Sequence, residues 1–147
     1  MTLYLDTCCY NRPYDRKRQR RIRRESGAIL GIVKTRGLYG HVIYGSAALD
    51  REIARIRNKD KLRNVSQFYR QTATARAGYN EGVFAYIRPL AKQAGVRGLD
   101  VLHLCFAVSA AVDYLLTVDD QFLEAASGLN LPVKVINPLN FPLGGAV

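Results

Sequence analysis

From Leu99 to Ala111 the chain is apolar on nearly every side of a helix, with Asp100, His103 and Ser109 its only polar residues. A helix without a solvent face belongs in an interior. The longest apolar region, Val101 to Val112, falls short of the roughly 18 residues a membrane-spanning helix needs, so that interior is the protein's own. Short β-prone runs at Thr2 to Leu5, His41 to Tyr44, Tyr114 to Thr117 and Val133 to Ile136 predict the strands that wrap it.

Helical patterns separate these strands. Asp15 is placed as the N-cap of a helix running to about Thr35 and stopped by Gly37, with Ile22, Ile29, Ile32 and Val33 as its apolar stripe. Ser46 caps a helix carrying Leu49, Ile53 and Ile56, and Lys59 to Tyr69 predicts another. Tyr79 to Ala94 reads as a longer helix that Pro89 kinks or divides. A short helix fits Gln121 to Ala126, while Tyr10 to Asp15 reads as a loop. Strands alternating with helices predict a three-layer α/β/α sandwich with a central parallel sheet. At 147 residues the chain makes a single domain, large enough to bury a core without disulfides.

Leu3-Tyr4-Leu5 runs straight into Asp6, too short an apolar stretch for a signal peptide, so a cytoplasmic, soluble protein is expected. Cys8, Cys9 and Cys105 form no C-x-x-C pair and are expected as reduced, buried thiols. The sequon Asn64-Val65-Ser66 is idle without secretion.

In an open α/β sheet functional residues gather beyond the carboxyl ends of the strands. Asp6 ends the first strand, and Asp119 follows the Tyr114 to Thr117 strand within two residues. Asp100 opens the buried helix, and Glu52 lies in the helix after the second strand, with an arm long enough for the same edge. Four acids in one pocket repel each other unless a cation joins them. Oxygen ligands select Mg²⁺ or Mn²⁺, which serve phosphodiester cleavage without catalytic cysteine or histidine. Taken singly, each acid has a plainer role as a helix cap or an arginine's partner.

Leu5-Asp6-Thr7-Cys8-Cys9-Tyr10-Asn11-Arg12-Pro13 closely resembles the start of a bacterial and archaeal branch of PIN-domain proteins. Gly98-Leu99-Asp100-Val101-Leu102-His103-Leu104 resembles that family's buried helix, and Tyr114-Leu115-Leu116-Thr117-Val118-Asp119-Asp120-Gln121-Phe122 its late acidic strand. The resemblance implies a metal-dependent endoribonuclease, of the kind found as the toxin in VapBC-type toxin–antitoxin pairs. It carries the first, central and late aspartates onto Asp6, Asp100 and Asp119, and supporting hydroxyls onto Thr7 and Thr117. It selects Glu52 as the early acid with Asp50 as rival, and adds Asp120 beside Asp119. An antitoxin protein and a second copy of the chain are the candidate protein partners.

One departure from that family is charge. Lys and Arg number 22 against 12 Asp and Glu, a net charge of +10, a bias that commonly accompanies polyanionic partners. Arg16, Lys17, Arg18, Arg20, Arg21, Arg23 and Arg24 put seven cations into nine residues, where many relatives are acidic. Arg12, Arg16, Lys17, Arg20, Arg21 and Arg24 are the residues expected to meet RNA phosphates. Tyr10 and Tyr14 suit packing better than base stacking, His103 reads as a satisfied core histidine, and His41 carries no signal. Asp6-Thr7-Cys8 lacks the second aspartate of a HAD-type phosphatase, and no Walker loop or H-E-x-x-H is present. A metal-dependent nuclease is thus the first expectation, and a non-catalytic PIN-like module that binds RNA or protein the alternative.

Overall fold

Five parallel strands make one sheet in the computed structural model, which describes residues 1–142. They are β1 (Thr2–Leu5), β2 (Val42–Gly45), β3 (Ala75–Arg76), β4 (Tyr114–Leu116) and β5 (Lys134–Ile136), in the order β3-β2-β1-β4-β5. Among the described residues seven α-helices flank the sheet, giving the expected three-layer α/β/α architecture. They are α1 (Thr7–Asn11), α2 (Arg20–Tyr39), α3 (Ala47–Ala54), α4 (Lys59–Thr72), α5 (Glu81–Gln93), α6 (Leu99–Ser109) and α7 (Asp120–Ser127). No described helix is long and apolar enough to cross a membrane.

β1 lies at the centre, with Leu3 beside Ile43 of β2 and Leu5 beside Leu116 of β4. Leu3, Tyr4 and Leu5 are wholly buried, as a strand covered on both faces must be. The chain leaves β1 toward β2 and β3, then returns to the other side of β1 as β4. That reversal between β1 and β4 is the topological switch point, where an open sheet leaves a crevice beyond its carboxyl ends. Helix α6 buries Val101, His103, Leu104, Cys105, Phe106 and Ala107, in keeping with its lack of a polar face.

Several boundaries differ from expectation. Residues Thr7–Asn11 form a short helix capped by Asp6, followed by a 3₁₀ turn at Arg12–Tyr14, where a loop was expected from Tyr10. Asp15 does not cap α2. Its carboxylate holds Arg12 at 3.2 Å and Lys61 at 3.0 Å, and the helix starts at Arg20 without a side-chain cap. The helix passes Gly37 and ends at Gly40, whose left-handed φ of 69° suits glycine. Pro89 does not divide α5, which runs unbroken from Glu81 to Gln93. The two-residue β3 was not expected. Ser46 caps α3 as expected, its hydroxyl accepting from the Leu49 amide at 3.2 Å.

Candidate metal centre

Asp6 takes its place because β1 ends there and α1 begins. Its Oδ1 accepts from the Thr7 amide at 2.7 Å, as an N-cap does. Its Oδ2 accepts from the Thr117 hydroxyl at 2.8 Å and the Cys8 thiol at 3.3 Å. The carboxylate is thereby fixed at the switch point with almost no freedom to turn, and is 4% exposed. Thr117, just past β4, also accepts from the Asp119 amide at 3.2 Å, joining the two strand ends through one hydroxyl.

Glu52 reaches the same place from α3. The Thr7 hydroxyl donates to its Oε1 at 2.8 Å, and the same oxygen meets Nε2 of His103. His103 is wholly buried, and its Nε2 also lies 3.5 Å from Asp6 Oδ1. On its other side Nδ1 is 2.7 Å from the Tyr4 hydroxyl, which is 2.6 Å from Ser46 Oγ. A buried polar chain therefore runs from the cap of α3 through β1 and α6 to Glu52. Burial favours the neutral imidazole, but Glu52, Asp6 and Asp100 outweigh it and hold the pKa above its usual value. For Glu52 burial pushes the other way from its partners, and His103 and Thr7 win, holding it below the usual range. Glu52 and His103 thus share one hydrogen bond, and the other ring nitrogen of His103 bonds the Tyr4 hydroxyl.

His103 is thus the satisfied core histidine that was expected and, in addition, a member of the acidic cluster. Asp100 and His103 stand three residues apart on one helix, a spacing that shares a face, so the signal was present in the sequence.

Asp100 sits in the first turn of α6. Gly98, at φ 54°, makes the turn that launches this helix, and a side chain there would be strained. No Lys or Arg neutralises Asp100 among the described residues. Burial first, then the charges of Asp6, Asp119 and Glu52, push its carboxyl up to about 7, against a smaller opposing pull from His103. Asp119 caps α7 through Oδ1, which accepts from the Gln121 amide at 2.9 Å and the Phe122 amide at 3.4 Å.

The tightest potential donor set is Asp6, Glu52 and His103, whose ligand atoms lie within 4.8 Å of one another. Asp100 and Asp119 stand outside that set and line the adjoining cleft, of about 460 Å³. The two other acids considered have cationic partners. Asp50 bonds Arg76 at 2.8 Å and the Tyr69 hydroxyl at 2.6 Å, and Arg76 above all holds its carboxyl below the usual range. Asp120 accepts two bonds of 2.7 Å from Arg21, which lower its pKa in the same way. The early acid that joins Asp6 is therefore Glu52.

Neither protein-family models nor curated proteins give a match to this chain. Carboxylates from four separate elements meet at or beside the switch point, and none has a Lys or Arg ion pair among the described residues. Such a set fits a hard divalent cation, which would relieve the repulsion felt by Asp100.

Two residues expected to meet RNA have internal ion pairs, and a third, Lys17, donates to the Pro13 carbonyl. Arg12 Nε lies 3.3 Å from Glu25, and Arg21 spans Glu25 at 3.1 Å and Asp120 at 2.7 Å. Arg16, Lys17, Arg20 and Arg24 are exposed. Arg21 also donates to the Val118 carbonyl at 3.1 Å, docking the basic segment against the rim that carries Asp119. Tyr10 is buried against Phe68 and Tyr69, while Tyr14, 41% exposed, packs its edge on Phe68. Cys9 and Cys105 are buried, Cys8 is partly so, and all three are free.

Proposed function

We propose that this chain is a Mg²⁺- or Mn²⁺-dependent endoribonuclease of the PIN-domain kind, acting in the cytoplasm as the toxin of a VapBC-type pair. The observation that carries the reading is a contrast within the site: Asp6, Glu52, Asp100 and Asp119 gather without a Lys or Arg ion pair among the described residues, while cationic residues such as Arg97 and Arg21 stand beside them. An acidic floor beneath a basic rim suits a polyanion whose reacting phosphate meets the protein through a cation.

In this reading Asp6 and Glu52 hold the cation, with Asp100 and Asp119 completing its acidic surround. A divalent cation held there by Asp6 and Glu52 would supply polarisation of the phosphodiester and a lowered pKa for a bound water. Thr7 and Thr117 orient the two carboxylates that take their hydrogen bonds. His103 fixes Glu52 from beneath, as outer partners of metal ligands do. Arg16, Lys17, Arg20 and Arg24 attract and align the RNA backbone without reading its sequence. An antitoxin would silence the enzyme by covering this edge.

Purified protein incubated with single-stranded RNA in Mn²⁺, in Mg²⁺ and in chelator tests the proposal. Cleavage with either ion, absent in chelator and lost in Asp100→Asn, is expected. RNA binding without cleavage under all three conditions would favour the non-catalytic module, for which the free basic segment is the supporting observation.

A further inference from the structure

The cleft beside the acids has a lining that metal binding does not account for. Its apolar lining is small: Ala94, Gly95 and Ala125 supply most of it, and Val96 and Phe122 are almost wholly covered. Three exposed polar residues share that lining, Arg97 on the turn before α6 and Gln121 and Glu124 on α7. Gln121 and Glu124 are three apart and share one face of their helix. Arg97 has no ion pair among the described residues. At about 460 Å³ the cleft lies within the roughly 300 to 1,000 Å³ of small-ligand sites, and one end opens onto Asp100 and Asp119.

We propose that this cleft seats one unpaired, amino-bearing nucleobase next to the phosphodiester being cut, so that the protein reads single-stranded RNA at one position. The proposal rests on the nuclease reading for its substrate class. The small apolar lining takes one side of a base, and Arg97 in the same lining takes an adjacent phosphate. Glu124 is an acceptor only, so it favours bases whose edge offers amino hydrogens, as guanine, adenine and cytosine do. Uracil presents carbonyl oxygens on both sides of its single N–H and is disfavoured beside a carboxylate. Gln121 carries both a donor and acceptors and completes the edge of any of the favoured bases. A base held in a duplex has that edge occupied and cannot enter.

Titration of the protein with the 5′-monophosphates of guanosine, adenosine, cytidine and uridine, followed by the side-chain N–H signals of Gln121 and Arg97 in chelator, tests the cleft without calling on catalysis. All four should move Arg97. The three amino-bearing nucleotides should move Gln121 and bind more tightly than uridine monophosphate by about threefold to tenfold, the yield of one net hydrogen bond. Glu124→Gln should erase that preference, and Arg97→Gln should weaken all four alike. Inorganic phosphate serves as the control. If it reproduces every shift, the cleft is a phosphate site and the base-reading proposal is wrong; equal affinity for uridine, or no response at Gln121, overturns it as well. Because no metal is present, these results stand whether or not the protein cleaves RNA. Absent Mn²⁺-dependent cleavage would instead remove the nuclease reading.

Discussion

Glu25 and Asp100 are both carboxylates drawn in from free solvent, and their surroundings are opposite. Glu25 is wholly buried on α2, where Arg12 and Arg21 flank it and the Asn137 amide donates at 2.7 Å. Asp100 has no arginine ion pair among the described residues, and the charges acting on it are the acids Asp6, Asp119 and Glu52, opposed by His103. The cost of desolvating a carboxylate is offset by a guanidinium in one case and left standing in the other. Acids that serve the fold have found cations within it, as Asp15, Asp50 and Asp120 also have. At the switch point no Lys or Arg ion pair does this among the described residues: only His103 faces Asp6 and Glu52, Asp100 has no ion pair, and a charge cluster so poorly relieved in a cleft marks a functional site.

Substitution at the two positions should separate them sharply. Asp100→Asn keeps the shape and gives a poorer ligand for a hard cation, so cleavage should fall by more than the 10- to 100-fold typical of losing an outer partner of a metal ligand. Glu52→Gln should follow it, whereas Asp50→Asn should leave the rate near wild type. Single-turnover cleavage in Mn²⁺ measures all three. Unchanged cleavage by Asp100→Asn would place that residue with Glu25 as part of the fold.

Glu25→Ala should act on stability instead. Removing one partner of a buried ion pair costs about 3–5 kcal/mol, and the lower end is expected because Arg12 and Arg21 keep Asp15 and Asp120 as partners. The urea midpoint should fall, with the metal response of the folded protein unchanged. A loss below 1 kcal/mol would mean that Glu25 and Asp100 stand in more similar settings than their neighbours suggest.

The same contrast has a pH dependence. A carboxyl held up to about 7 when folded, against its ordinary 3.8, binds its proton more tightly in the native state. Its penalty is therefore absent below about 3.8, grows as pH rises, and is complete above about 7. In chelator Asp100→Asn should melt at the wild-type temperature near pH 4 and several degrees above it at pH 8. Each kcal/mol is worth about 2–4 °C in a domain this size. Added Mn²⁺ should narrow or reverse the difference, because the wild type binds the ion better. A variant that melts lower at pH 8 in chelator would give Asp100 a structural partner.

Much of this arrangement could be read from the chain. Asp6 and Asp119 were legible because a buried strand announces its end by the first acid after an apolar run. Ser46 was legible because capping is local, a hydroxyl three residues before the amide it accepts from. The start of α2 was not, since Asp15 is drawn away by Lys61, 46 positions along the chain. β3 was hidden because its two residues carry no periodicity, and it exists only by pairing with Tyr44 and Gly45. The role of His103 was half legible. Its burial followed from the apolar helix, but its bond to Glu52 depends on how α3 and α6 pack. The internal partners of Arg12 and Arg21 were invisible for the same reason.

The smallest effect concerns the basic segment, where the contrast can be drawn between neighbouring arginines. Arg20 and Arg24 are exposed without an ion pair among the described residues, while Arg21 is held by Glu25 and Asp120. Each phosphate contact on a single strand adds about 0.7 to the slope of log affinity against log salt. Arg20→Gln and Arg24→Gln should each flatten the slope by about that amount and leave the melting temperature unchanged. Arg21→Gln should lower the melting temperature, because Glu25 loses one of its two guanidiniums, and should leave the slope intact. Affinity for a short single-stranded RNA in chelator, between 50 and 200 mM salt, reads both quantities free of cleavage. If Arg21→Gln flattens the slope as much as Arg20→Gln, its guanidinium exchanges carboxylates for phosphate when RNA binds. The ion pair with Asp120 would then be a latch that RNA opens beside Asp119, and the division between fold-serving and site-serving charges would fail at the residue that joins them.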